Sequence, residues 1–157
     1  MKANLYVETT IVSYLAARPS RDTIVAAHQQ ITRDWWRLRR KRFALHCSQL
    51  VVREAGAGDR TAAARRLALL RTLPLLEITP LAAEIAQALL DVGAIPRKAT
   101  EDALHVALAA AHGMEYLLTW NCKHIANAEI RAAVAAVCAA NGCEAPAICT
   151  PEELMGA

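Results

Sequence analysis

The stretch from Thr100 to Ile125, TEDALHVALAAAHGMEYLLTWNCKHI, decides how the rest of the chain is read. Thr100 can cap a helix, Glu101 and Asp102 fill its first turn, where unpaired backbone N–H groups favour negative charge, and Gly113 stands where a C′ residue belongs. Ala103, Ala107, Ala110 and Ala111, together with Leu104, Val106 and Leu108, put apolar atoms on nearly every face, which predicts a helix packed deep against a sheet. Tyr116 to Trp120 is then the strand beneath it. In an open α/β sheet, groups just past the carboxyl ends of strands collect in one crevice, so Asn121 is expected on the ligand side, near Asp102. A first-turn acid by itself only stabilises its helix, by roughly 0.3 to 1 kcal/mol. Chemistry is implied only if other acids fall at equivalent positions.

Upstream, they do. Asn4 to Val7 reads as a strand closed by Glu8, Thr9 and Thr10, after which Ile11, Val12, Tyr14 and Leu15 continue at helical spacing. Asp22 can cap a longer helix running to about Arg40, whose Ile24, Ile31, Trp35 and Leu38 predict the buried side and whose Arg33, Arg37 and Arg40 oppose them. Phe43 to Cys47 is a second strand; Ser48 caps the helix after it, which carries Glu54 one to two turns on. Further elements are a helix over Thr61 to Leu70, a strand over Leu75 to Ile78 and a helix over Leu81 to Leu90. After the quoted stretch, Ala126 to Ala140 is mostly helical and Ala147 to Cys149 can add an edge strand. Strands alternating with helices imply a parallel sheet covered on both faces, a three-layer α/β/α architecture, because right-handed crossovers put the helices there.

The bulk composition narrows the class. At 157 residues one domain over 1–157 is expected, and 55% hydrophobic against 21% charged residues excludes a disordered chain. No apolar run reaches the roughly 20 residues of a membrane span. MKANLYVE meets Glu8 before an export signal could form, so a cytoplasmic protein with no membrane association is expected. Cys47, Cys122, Cys138, Cys143 and Cys149 form an odd set without a C-x-x-C pair, which argues against a disulfide framework and a structural zinc site. Net charge is only +3, yet Arg33 to Arg42 (RDWWRLRRKR) holds six of the 18 Lys and Arg residues, a local positive potential that suits an acidic partner.

A parallel sheet would bring Glu8, Glu54 and Asp102 to one edge with Asn121. Three carboxylates in a cleft repel one another unless protons are taken up or a cation is bound, and oxygen ligands without His or Cys select magnesium or manganese. These residues resemble the PIN domain, the nuclease fold of VapC-type toxins. The resemblance rests on YVETTIVSYL after the first strand, Glu54 after the second, EDALHVA at the helix and LLTWNCKHI after the fourth strand, and it spans essentially the whole chain. It implies a strand order of 3-2-1-4-5 and metal-assisted hydrolysis of RNA phosphodiesters by a toxin of a type II toxin-antitoxin pair. It maps the acidic quartet onto Glu8, Glu54, Asp102 and Asn121, with Glu8, Glu54 and Asp102 as metal ligands and Thr9 as a substrate-side helper. It also implies a small antitoxin partner and a homodimer. Two positions depart from the usual pattern: Glu8 stands where most members have Asp, and Asn121, where many have Asp, keeps a neutral oxygen and loses one negative charge.

Other readings weigh less. A response-regulator receiver needs an Asp after its third strand, where Thr79 and Pro80 stand; a haloacid-dehalogenase-type phosphatase needs D-x-D where Glu8, Thr9 and Thr10 stand; and no G-x-G-x-x-G is present. A PIN module that binds RNA or a protein without turnover remains the alternative. His105 is read as a core residue, His124 and Lys123 as solvated, and Trp120 as core rather than a base-stacking platform. Arg33, Arg37 and Arg40 are candidates for holding RNA phosphates or an antitoxin's acids.

Overall fold

The computed structural model describes residues 1–156. The elements are β1 (Ala3–Val7), α1 (Thr9–Ala16), α2 (Thr23–Leu38), β2 (Phe43–Ser48), α3 (Gln49–Ala55), α4 (Arg60–Leu70), β3 (Leu75–Leu76), α5 (Pro80–Asp91), α6 (Thr100–Ala111), β4 (Tyr116–Leu118), α7 (Arg131–Ala140) and β5 (Ala147–Cys149). Short 3-10 turns cover Arg40–Arg42, Arg97–Ala99 and Ala128–Ile130. All five strands are parallel in the order β3-β2-β1-β4-β5, the α/β arrangement and strand order expected.

β1 is central because its Leu5, Tyr6 and Val7 have no exposed surface, the burial on both faces that a parallel sheet flanked by helices imposes. Tyr6 is in register with His46 of β2 and with Leu117 of β4. The connections run one way from β1 to β2 and β3 and the other way to β4 and β5, so the topological switch point lies between β1 and β4.

α6 is buried along most of its length, including Ala103, Val106, Ala107, Leu108, Ala109 and Ala110. Its C-terminus closes as expected: Gly113 takes φ +68°, and the Met114 amide donates to Ala109 O at 2.9 Å, so the orphan carbonyls are satisfied. Its N-terminus differs from expectation. Thr100 is the first helical residue, and its Oγ1 donates to Arg97 O at 2.9 Å instead of accepting a helix amide, because the chain enters α6 from the Arg97–Ala99 turn.

α2 ends at Leu38 rather than Arg40, and it buries only part of its expected face: Trp35 is buried and Ile31 packs against the core, but the two end positions do not. Ile24 is 69% and Leu38 57% exposed, whereas the polar Gln29 and Thr32 are buried beside Trp35. Polar bonds choose this face. The Trp120 indole donates to Thr32 Oγ1 at 2.7 Å, and Gln29 accepts from the Ser20 amide at 2.9 Å while donating to Arg18 O at 3.2 Å. Counting apolar residues cannot register such anchors. β3 spans only Leu75 and Leu76 because Ile78, 47% exposed, has already left the sheet before Pro80. The expected helix from Ala126 is a turn capped by the Asn127 side chain and then α7. All five cysteines are free; Cys47, Cys138 and Cys149 are buried and Cys122 is exposed. Among the described residues no helix is long and apolar enough to cross a membrane.

Candidate functional site

The switch point puts the ends of β1 and β4 side by side, and Glu8 joins them. Its carboxylate is only 4% exposed, and it caps α1: Oε2 accepts from the Thr10 amide at 3.1 Å, while Oε1 accepts from Thr10 Oγ1 at 2.5 Å and from Thr119 Oγ1 at 2.6 Å. Each threonine hydroxyl also receives an amide, Thr10 from Trp120 at 2.8 Å and Thr119 from Asn121 at 2.9 Å. Hydroxyls suit this place because one oxygen both donates to a carboxylate and accepts from the backbone.

Glu54 reaches the same edge from α3, whose start is fixed by Ser48 accepting from the Val51 amide at 3.2 Å. Glu54 Oε1 accepts from Thr9 Oγ1 at 2.5 Å and from His105 Nε2 at 2.7 Å. Burial works against its charge, but the His105 hydrogen bond and the Thr9 hydroxyl outweigh burial and hold the carboxyl down to about 2. His105 has its second nitrogen, Nδ1, 2.7 Å from the hydroxyl of Tyr6, which lies 2.9 Å from Ser48 Oγ. Burial pushes the Tyr6 phenol far above its ordinary value, so it stays neutral. Ligand-type atoms of Glu8, Glu54 and His105 all lie within 4.8 Å of one another.

Asp102 stands in the first turn of α6 but is not one of that close trio. Its Oδ2 is 2.9 Å from His124 Nδ1. Asn121 follows β4 and organises the loop: its Oδ1 accepts from the His124 amide at 3.0 Å, and its carbonyl accepts from the amides of Ile125 and Ala126. Asn121 thus positions the histidine that meets Asp102. Glu101 adds a fourth carboxyl. It sits in hydrogen-bond contact with Glu54, which raises its pKa, and Arg53 approaches it at 3.4 Å. Residues Lys98 to Asp102 line an open polar hollow of about 390 Å³ beside it.

Thr9 is committed to Glu54 rather than standing free beside the first acid. Trp120 is 8% exposed, and His28 stacks on it at 4.0 Å, so it is a core residue here as expected. The arginines lie elsewhere. Arg33 donates to Gln30 at 3.2 Å, Arg37 pairs with Asp34 at 3.5 Å, and Arg40, outside α2, rests 4.9 Å from the centre of the Trp36 ring. α2 starts near the carboxyl edge, where His28 meets Trp120, and descends to the amino end of β2, roughly 15 Å of strand from the acids.

Sequence reading missed the partnerships of His105, His124 and Glu101. The available signal was spacing: His105 lies one turn after Asp102 on the same helix, and Glu101 precedes it directly.

A parallel sheet of order 3-2-1-4-5 with carboxyl groups fastened at its switch-point edge defines an α/β protein with an acidic crevice. The chain belongs to the PIN domain family, whose model matches residues 5–129. Among solved structures it is similar in fold to the crystal structure of VapBC2 from Rickettsia felis bound to a DNA fragment from their promoter. The identity is 15%, the match covers 94% of this chain and 98% of that one, and the TM-score is 0.61. No curated protein gives a significant match.

Proposed function

We propose that the protein is a metal-dependent endoribonuclease, the toxin of a type II toxin-antitoxin pair, acting in the cytoplasm. The observation that carries this reading is the convergence of Glu8 and Glu54 at the β1 switch point, with Glu101 and Asp102 on the first turn of α6. Membership of a nuclease-bearing family supports the activity, the likeness to VapBC2 supports an antitoxin partner, and the proposed homodimer follows the family resemblance.

The donor set fits a hard cation. Both ring nitrogens of His105 are engaged, which leaves carboxylate oxygens of Glu8, Glu54 and Asp102 as ligands, and oxygen ligands favour Mg2+ or Mn2+. A bound cation of this kind supplies Lewis-acid polarisation of the attacking water and of the phosphate. The side chains do the rest. Thr9 and His105 hold Glu54 ionised, His124 orients Asp102, and the Asn121 amide N–H groups can donate to a phosphate oxygen while its Oδ1 keeps the loop in place. Arg33, Arg37 and Arg40 would engage the backbone of an RNA long enough to run along α2.

Glu8 favours a second reading, a binding module without turnover, because its carboxylate already has three donors. Incubating the purified protein with single-stranded RNA in Mg2+ or in EDTA separates the two. Cleavage in Mg2+ alone is expected; cleavage that persists in EDTA, or RNA bound but intact in Mg2+, contradicts the nuclease reading.

A further inference from the structure

Beneath the acidic edge a row of polar side chains crosses the core: Ser48 and Tyr6 have no exposed surface and His105 is 1% exposed. Buried polar groups are costly unless each finds a partner, and here every link is made. The Val51 amide donates to Ser48 Oγ, so the Ser48 hydrogen is left for the Tyr6 oxygen at 2.9 Å. The Tyr6 hydroxyl then donates to His105 Nδ1 at 2.7 Å, and His105 Nε2–H donates to Glu54 Oε1 at 2.7 Å. The opposite direction strands the Ser48 hydrogen without an acceptor among these groups. One sense of the row therefore satisfies all of it, with a neutral imidazole protonated on Nε2.

Resting on the metal-dependent reading above, we infer that His105, aligned by Tyr6 and Ser48, is a positioning residue that fixes the Glu54 carboxylate for its ligand. Two donors, His105 Nε2–H and Thr9 Oγ1–H, occupy Oε1, and the further carboxyl in contact with Glu54 is that of Glu101, which is exposed at the crevice. An oxygen accepting two hydrogen bonds has no lone pair left, so the relay determines which oxygen meets the cation or substrate. The carboxylate is held from below, through the core, while its other face remains at the crevice, its side chain 25% exposed. Apolar substitution of His105 would free Glu54 to rotate. A side-chain amide there would keep one donor on Oε1.

The test has two arms. In EDTA, 15N NMR of histidine-labelled protein reads the tautomer directly; His105 is expected to be protonated on Nε2 and bare on Nδ1, and Tyr6→Phe to disturb that signal. Calorimetric titration with Mn2+ is the second arm. His105→Leu should weaken binding by about tenfold or more, the usual cost of losing the partner that orients a metal ligand, and His105→Gln should recover most of that loss. Tyr6→Phe, which keeps the aromatic ring, serves as the relay variant if His105→Leu does not fold. Wild-type Mn2+ affinity retained in a folded His105→Leu variant, or a His105 proton on Nδ1, overturns the positioning role. If wild type binds no Mn2+ but shows the expected tautomer, the metalloenzyme reading falls while the hold on Glu54 stands.

Discussion

At the carboxyl edge of the sheet, each acid is fastened by donors from distant parts of the chain: Glu8 by Thr119, Glu54 by His105, Asp102 by His124. Along the second half of α2 and the turn after it, Arg33, Arg37 and Arg40 pair with neighbours within four residues, Gln30, Asp34 and Trp36, and only Arg39 among the four reaches further, donating to Leu154 O at 3.3 Å. Long-range bonds between elements fix a geometry before any ligand arrives, whereas exposed local pairs contribute little and rearrange freely. The acidic edge is therefore built as a preorganised site and the basic flank as an adaptable surface.

That contrast can be broken most sharply at Asp102. Asp102→Ala should lower Mg2+-dependent RNA cleavage by about three orders of magnitude, a loss in the range of removing a principal charge-stabilising group. Its stability in EDTA should change by less than about 1 kcal/mol, because the lost bond to His124 is partly solvated. Retained cleavage would place the activity elsewhere.

A smaller effect is expected in acid. The folded-state pKa of Glu54 is depressed, so the hydrogen bonds from His105 and Thr9 contribute stability that is fully present above the ordinary carboxylate value and is lost as pH falls towards about 2. The contribution is about 2 kcal/mol once partial exposure and the opposing upward shift of Glu101 are allowed for. Thermal melts between pH 5 and 2 should fall more steeply for wild type than for Glu54→Gln; equal slopes would mean that the network does not hold this carboxylate ionised.

The smallest effect belongs to the flank. Replacing Arg33, Arg37 and Arg40 with Ala should flatten the log-log salt slope of RNA binding by about 2, at roughly 0.7 per single-strand phosphate contact. Oligonucleotides of only a few residues, which cannot reach from the acids to Arg40, should show no change. An unchanged slope with long RNA would move this surface from substrate binding to an acidic protein partner.

What sequence alone could reach follows the same division. The parallel sheet was legible because apolar runs, crossover handedness and strand-end acids each depend on short segments, its strand order came with the resemblance to the PIN domain, and Gly113 marks the end of α6 because a positive φ there suits glycine. The buried face of α2 was legible only at Ile31 and Trp35, since the rest is chosen by Thr32 meeting Trp120, 88 positions away. The same holds at the site: Glu8 and Glu54 follow from their places after strands. His105 could be read only as core, because its partners Tyr6 and Glu54 lie 99 and 51 residues away in sequence.

The most direct measurement is anomalous diffraction from a crystal soaked in Mn2+. A single strong peak about 2.1 Å from carboxylate oxygens of Glu54 and at least one of Glu8 and Asp102 is expected. RNA cleavage in Mg2+ by the same preparation with no peak at this edge, or with the peak bound elsewhere, would contradict a preorganised metal site at the β1 switch point.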